Sequence, residues 1–328
     1  MTGASETPVV TVVLNTYNRA DRLPQAVRTV LTQAWPVRWS PFELVVVDDG
    51  STDDTPEAIR HVHDQRLRFI RRANGGLSAA RNTGLEAARG EYVVFLDDDD
   101  DPDAEWLVRL STLIRDNRGG IASCGARIVG ADGTVEIREP RDLGAPFDHV
   151  VGNFLAGCFV ARTDLVRAVG GYWEGLPSNH QTELALRLVP ECRVRNLPIV
   201  ATGEILFTVN RSHVGNRRGL AAEKQQPRHG QPLFRATSMI LERHEERISR
   251  SRTLWFRYVT IAGVAAMRAK EAPRARQLFL KAVRLRPWSW RGWVRLGASV
   301  FPPAARRLWQ LDQRLPRGLP TQDMRRGQ

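Results

Sequence analysis

Five consecutive aspartates, Asp97 to Asp101, follow directly on the apolar run Tyr92 to Leu96. Carboxylates so close repel one another by roughly a kcal/mol or more per pair at surface-like dielectric, unless a cation or solvent offsets them. A hard divalent cation such as Mg²⁺ or Mn²⁺ meets that need, because it takes oxygen ligands and uses one or two carboxylates together with substrate phosphates. In an extended stretch Asp97 and Asp99 face one side and Asp98 and Asp100 the other, so the Asp-x-Asp spacing converges two carboxylates on one ion. The competing reading is a solvated acidic turn that caps a helix starting near Asp103.

Two other polar clusters could join that chemistry. Asp48-Asp49-Gly50-Ser51-Thr52-Asp53 follows the run Phe42 to Val47, and a carboxylate there can accept a hydrogen bond from a base or ribose, although Asp-Gly-Ser alone is an ordinary turn. Asn74 to Asn82 combines the Gly75-Gly76 loop, a helix start with Ser78 as its expected N-cap, and Arg81 one turn in. Those features suit a phosphate.

The elements that must position these clusters follow from short apolar runs alternating with helix-length segments, the pattern of βαβ units. Strands are expected at Val9 to Leu14, Phe42 to Val47, Leu67 to Ile70 and Tyr92 to Leu96. Helices are expected at Arg22 to Gln33, Glu57 to Val62 and Ser78 to Ala88. The fold class is α/β, an open and mostly parallel sheet flanked by helices, which places ligands outside the carboxyl ends of its strands. The chemistry is therefore expected at Asn15 to Arg19, Asp48 to Ser51 and Asp97 to Asp101. Residues 104 to 215 read as an acceptor-facing half, with strands at Ile121 to Val129 and Phe154 to Val160 and a helix at Thr182 to Val189. Residues 216 to 328 read as an all-helical extension, in which Ala262 to Pro287 has the pattern of a tetratricopeptide-type helical pair. One such pair needs neighbours to bury its face.

Charge divides the 328-residue chain unevenly. From Arg211 onward there are 26 Lys and Arg against seven Asp and Glu, net +19, whereas the residues before it hold 22 against 29, net −7. A basic rear half suits anionic partners, phospholipid headgroups or nucleic acid, or forms Arg-rich solvated helices. No zinc motif or RNP-like aromatic pattern accompanies the arginines. Trp288, Trp290, Trp293 and Trp309 beside Arg286, Arg291, Arg295, Arg306 and Arg307 suit a lipid interface better. Cys124, Cys158 and Cys192 lack metal-like spacing, Met1 to Pro8 show no secretory pattern, and no apolar run approaches the roughly 20 residues of a membrane span. The expectation is a cytoplasmic protein, peripheral on the inner face of the plasma membrane.

Taken in order, Leu14-Asn15-Thr16-Tyr17-Asn18-Arg19, Val47-Asp48-Asp49-Gly50-Ser51, Asn74 to Asn82 and Phe95-Leu96-Asp97-Asp98-Asp99-Asp100 resemble family 2 glycosyltransferases with the GT-A fold, over Val9 to about His213. The resemblance implies an inverting transferase that uses a nucleotide sugar, commonly a UDP-sugar, with Mg²⁺ or Mn²⁺. It implies that Thr16, Tyr17 and Arg19 surround the nucleotide, that Asp49 accepts from the base with Asp48 supporting the loop, and that Gly76 and Arg81 face the diphosphate. Asp97 and Asp98 would border ribose and phosphates, Asp99 would ligate the metal, and His213 would contact the diphosphate.

The chain departs from the family at the residue that takes the proton of the acceptor hydroxyl. Gly170-Gly171-Tyr172-Trp173-Glu174 matches the loop before the relevant helix, and that register puts Gln181 where the family carries its Asp base. Gln181 cannot serve. Glu183 and His180 are the candidate replacements, Glu183 preferred; its alternative is an i,i+4 partner of Arg187. A catalytically weakened sugar-nucleotide-binding or scaffold protein is the second reading. A nucleotidyltransferase is a third, disfavoured because Asn15 to Arg19 lacks glycine.

Overall fold

Val10, Val12 and Leu14 alternate with Thr11, Val13 and Asn15 along the first strand, β1 (Val10–Thr16), and all of these side chains are buried. Burial of both rows is what a parallel strand covered on two faces requires. The computed structural model describes residues 9–211, apart from 38 and 40, and 231–300. By internal contacts the chain forms two units, Met1–Asp142 with Val150–Gly175 and Leu184–Glu223, and Leu143–His149 with Leu176–Glu183 and Lys224–Gln328.

The first unit is built on one large sheet. After β1 come α1 (Leu23–Leu31), β2 (Glu43–Asp48), α2 (Thr55–Ala58), β3 (Leu67–Arg71), α3 (Leu77–Ala87), β4 (Tyr92–Asp97), β5 (Asp101–Pro102) and α4 (Trp106–Asp116). Then follow β6 (Ile121–Val129), β7 (Val135–Arg138), β8 (Arg141–Asp142), β9 (Val151–Gly152), β10 (Phe159–Arg162), α5 (Thr163–Ala168), α6 (His180–Val194) and β11 (Ile199–Asn210). The strand order is β3-β2-β1-β4-β10-β6-β11-β5, with β7 beside β6. Pairing is parallel from β3 through β4 and between β6 and β11, but antiparallel on both sides of β10. The expected parallel sheet is therefore parallel in the part that carries the acidic clusters.

One face of this sheet buries Val10, Val12 and Leu14 against Leu23, Val27 and Val30 of α1 and Trp106, Leu110 and Ile114 of α4. The other buries Val13, Val45, Val47 and Phe95 against Ala80 and Leu85 of α3 and Leu184, Leu188 and Cys192 of α6. Close approach of α3 depends on Gly84, where a Cβ would lie 2.1 Å from a methyl of Val13. Two expectations need correction. The strand near residue 160 is Phe159–Arg162 and not Phe154 to Val160, because Gly157 adopts φ +75 and its Cβ position lies 2.0 Å from the Phe207 ring, which makes this approach a loop. The cap of α3 is Gly76 at φ +85, and Ser78 sits inside the first turn.

In the second unit the helices are α7 (Gln231–Arg243), α8 (Glu245–Ser249), α9 (Arg252–Arg268), α10 (Ala272–Leu285) and α11 (Trp290–Val300). The expected helical pair is present as α9 and α10, antiparallel, with Arg252 at the start of α9 donating to the carbonyl of Leu285 at the end of α10. Gly263 lets the two approach, since a Cβ there would lie 2.6 Å from the Phe279 ring. Phe234 of α7 and Leu296 of α11 pack on the same apolar cluster of Val264, Ala266, Ala275 and Phe279. These are the neighbours that a lone pair lacks. No helix among the described residues is long and apolar enough to cross a membrane.

Candidate active site

The carboxyl ends of β1, β2 and β4 lie side by side, with Thr16 opposite Asp48 and Asn15 opposite Asp97 in register. The structure thus brings the first two acidic clusters and the Thr16 to Arg19 segment to one edge.

At the end of β2, the Asp48 side chain is enclosed and accepts from the backbone N–H and the hydroxyl of Ser51, while Arg71 Nε lies 3.3 Å from its other oxygen. Asn18, at φ +52, receives the N–H of Thr52 on its side-chain oxygen and donates its own N–H to Ser51. Asp49 turns to the glycine loop. Its carboxylate accepts from Gly75 N at 3.0 Å, Gly76 N at 2.7 Å and Arg72 at 3.2 Å. Burial raises its pKa despite those donors. Here lies a correction to the phosphate reading of this loop: the N–H groups of Gly75 and Gly76, which a phosphate cradle would offer, are engaged by Asp49. Gly76 acts in this arrangement by fixing the loop.

At the end of β4 the aspartates form a turn, with Asp100 N reaching Asp97 O at 3.4 Å, so the extended-strand alternation does not apply. Asp97 receives Arg81 at 2.7 Å, and that guanidinium is fully buried, 5.0 Å from the Tyr172 ring centre. Arg81 therefore holds Asp97. Asp98 accepts from the Thr16 hydroxyl at 2.7 Å, with Arg19 Nε 3.6 Å away. Burial, reinforced by Asp99 and Asp97, pushes the Asp98 carboxyl up to about 7 even so. Asp100 is also raised, first by burial and then by Asp97 and Asp99, although Asn210 N donates to it at 3.0 Å. The Asn210 side chain clamps the same turn, donating to the Asp99 carbonyl and to Asp101. Tyr17 and the half-buried Asp99 complete this edge.

Whether this edge suits a cation can be judged from its charges. Asp97 and Asp98 each face an arginine, and Asp99 and Asp100 add two more carboxylates to the same turn. Carboxyls driven up by burial and by one another mark a deficit of positive charge, which a divalent ion would fill. Among the described residues no three His, Cys, Asp or Glu side chains gather into a metal cage. A site made of one or two carboxylates plus substrate phosphates needs none.

The candidate bases lie in the first turn of α6. His180 opens the helix and Glu183 is fully buried, with Oε1 3.0 Å from His244 Nε2 and 3.8 Å from Arg243. Sequence reasoning missed His244, because nothing local ties a histidine at the end of α7 to a helix 61 residues earlier. It placed Asn15 in the ligand-facing segment Asn15 to Arg19 without giving it a role, and the buried Asn15 carboxamide has no hydrogen-bond partner among the described residues. A polar residue closing an apolar strand at its ligand-facing end was the available signal. His213 lies outside the described residues.

Known proteins share the fold and part of the sequence. Residues 11–163 match the family model of Glycosyl transferase family 2. The glycosyltransferase EpsJ of Bacillus subtilis strain 168 is 36% identical over 120 residues, 36% of this chain and 34% of EpsJ. Across the first curated relatives the match spans 34%, 62% and 35% of their lengths. Residues 1–349 of Staphylococcus aureus TarS, solved with UDP-GlcNAc, superpose with a TM-score of 0.55 at 18% identity, covering 92% of this chain and 91% of that fragment. The mannosyltransferase PcManGT of Pyrobaculum calidifontis, solved with GDP-Man and Mn²⁺, gives 0.55 at 21% identity over 92% and 88%. The fold is thus that of the GT-A glycosyltransferases, and residues 11–163, a little under half of the chain, are similar to glycosyl transferase family 2.

Proposed function

We propose that this protein transfers a sugar from a nucleoside-diphosphate sugar, with UDP the favoured nucleotide, to a hydroxyl of a glycan, glycolipid or small-molecule acceptor, with inversion at the anomeric carbon. The observation that carries this reading is the carboxylate-rich turn at the end of β4, with Asp98 and Asp100 raised by burial and by their neighbours. The sugar nucleotides in TarS and PcManGT, and the Mn²⁺ in the latter, support a donor of that class and a divalent ion.

Asp99 would hold the ion, which when bound supplies neutralising charge to the departing nucleoside diphosphate. The remaining work belongs to the chain. Thr16 and Arg19 orient Asp98, Arg81 orients Asp97, and Asn210 fixes the turn between them. Tyr17, Asp48 and Asp49 line the nucleotide side, and His213 is the expected diphosphate contact. Glu183 takes the acceptor proton, with His180 as the second candidate; this assignment rests on its register two residues after Gln181. The pairing of Glu183 with His244 favours a fixed orientation for that carboxylate.

The same pairing also motivates the second reading, a sugar-nucleotide-binding scaffold, because a carboxylate engaged by His244 and Arg243 has a structural use without catalysis. Isothermal titration of UDP, dTDP and GDP with Mn²⁺ and with EDTA, repeated on Asp99→Ala, tests the donor site. Metal-dependent binding that the variant loses is expected; a folded protein that binds none of them rules out the transferase. Donor hydrolysis then separates enzyme from scaffold. The basic rear half, in this reading, keeps the enzyme on the anionic cytoplasmic face of a membrane.

A further inference from the structure

Helix α11 is built the wrong way round for water. Its inward residues are small, with Gly292, Ala298 and Ser299 buried and Leu296 packed on the Phe279 cluster. Its large apolar residues point outward: Trp290 is 68% exposed, Trp293 54%, Val294 44% and Val300 48%. The spacing of these four places them on one stripe of the helix, since positions three, four and ten residues apart fall within about a third of the circumference. Trp288, in the turn before the helix, is 74% exposed as well. Single exposed apolar residues are ordinary, whereas a stripe of large ones over a small-residue interior marks a docking surface.

The charges around that stripe choose the partner. From Ala272 to Val300 the chain carries seven Lys and Arg and no Asp or Glu. Arg291 lies 5.6 Å from the ring centre of Trp290, and Arg252 lies 5.8 Å from that of Trp288. Indole rings sit at the level of lipid headgroups, where the ring is in the apolar layer and its N–H stays wet. Arginine stems cover apolar surface while their guanidinium groups reach outward to phosphate. We propose that the Trp288, Trp290, Trp293, Val294 and Val300 face of α11 is a docking surface for an anionic lipid bilayer, inserting its apolar stripe at headgroup depth with Arg284 and Arg291 on lipid phosphates. The proposal rests on the membrane-attachment reading above and specifies which surface makes the attachment.

The test uses the full chain and vesicles of phosphatidylcholine, alone or with about 30% phosphatidylglycerol. The wild-type protein is expected to sediment with the anionic vesicles, to release in about 0.5 M salt, and to have tryptophan fluorescence quenched by acyl-brominated lipid. Trp290→Ser/Trp293→Ser is expected to bind about tenfold more weakly or worse, with nucleotide binding unchanged and only a small drop in thermal midpoint, since both side chains are largely exposed and the change removes the bond from Trp293 Nε1 to the Pro287 carbonyl. Arg284→Glu/Arg291→Glu should lose the preference for anionic over neutral vesicles. If the wild type binds and the tryptophan variant binds equally well, the α11 face is not the docking surface although membrane attachment stands. Should the wild type bind neither vesicle, both readings fall. Binding of single-stranded RNA in preference to vesicles, weakened by the same tryptophan changes, would overturn the lipid assignment in favour of a nucleic-acid surface.

Discussion

Two acidic loops end adjacent parallel strands of this protein, and their electrostatics differ. After β2, the carboxylates of Asp48 and Asp49 are matched by Ser51, Arg71, Arg72 and the N–H groups of Gly75 and Gly76. After β4, arginines answer Asp97 and Asp98, yet Asp98 is pushed up to about 7 and Asp100 well above the carboxylate range. Burial raises a carboxyl in each loop, but the first meets its carboxylates with more donors, while in the second Asp97 and Asp99 add to the rise of Asp98 and Asp100. In the proposed reading the first loop's carboxylates shape the nucleotide side of the site, and those of the second are the ones that a cation would offset.

That contrast predicts opposite consequences for removing one carboxylate from each. Asp99→Ala should lower kcat/KM for sugar transfer about a thousandfold, because several kcal/mol of charge stabilisation depend on the ion. In metal-free protein the same change should leave the thermal midpoint unchanged or raise it, since a charge that opposes Asp98 and Asp100 is gone. A large loss of midpoint with activity retained would reverse the comparison.

Glu183→Gln sharpens it from outside either loop. Transfer should fall about a hundredfold or more, the usual weight of a general base, while Mn²⁺-dependent nucleotide binding stays intact. A variant with full activity would move the base to His180.

Asp49→Asn acts on stability. Asp49 accepts from Gly75 N, Gly76 N and Arg72, and an amide has a single acceptor oxygen, so a donor would face a donor. The expected cost is about 1–3 kcal/mol in denaturant unfolding, with metal binding preserved. Retention of full stability would show that those donors do not hold this loop.

The contrast itself was only half visible beforehand. The strands β1, β2 and β4 are read within a residue or two from the sequence, because runs buried on both faces are mostly apolar, with Thr11 and Glu43 bonded to each other. The aspartate run announces itself by composition, and its partners do not. Arg81 looked like a phosphate contact from its place one turn into α3, but only the packing of α3 on β1, permitted by Gly84, directs it to Asp97. Asn210 ends a strand, β11, that the sequence reading left unassigned. Helix α6 was expected to stop at Val189, before Pro190, yet continues to Val194 because Cys192 buries its far turn. Local rules read the elements and their ends; hydrogen bonds between distant segments decide which carboxylate is satisfied.

The smallest effect concerns pH. Asp98 titrates near its ordinary 3.8 when unfolded and at about 7 when folded without metal, so the native state holds the proton across that interval while the unfolded chain has released it. Stability falls with rising pH wherever the folded state binds more protons. The contribution of Asp98 is thus fully present below about pH 4, is lost as pH rises through about 7, and is flat beyond. Other carboxylates with lowered values, such as Asp64 held by Arg66, slope the opposite way, so the informative quantity is a difference. Unfolding free energies measured in denaturant from pH 4 to 8 in EDTA should decline more steeply for the wild type than for Asp98→Asn, by on the order of a kcal/mol. Saturating Mn²⁺ should remove that extra slope, because a cation beside Asp98 lowers its pKa. Identical slopes for wild type and Asp98→Asn in EDTA would mean that the carboxylates of the β4 turn are as well met by donors as those of the β2 loop.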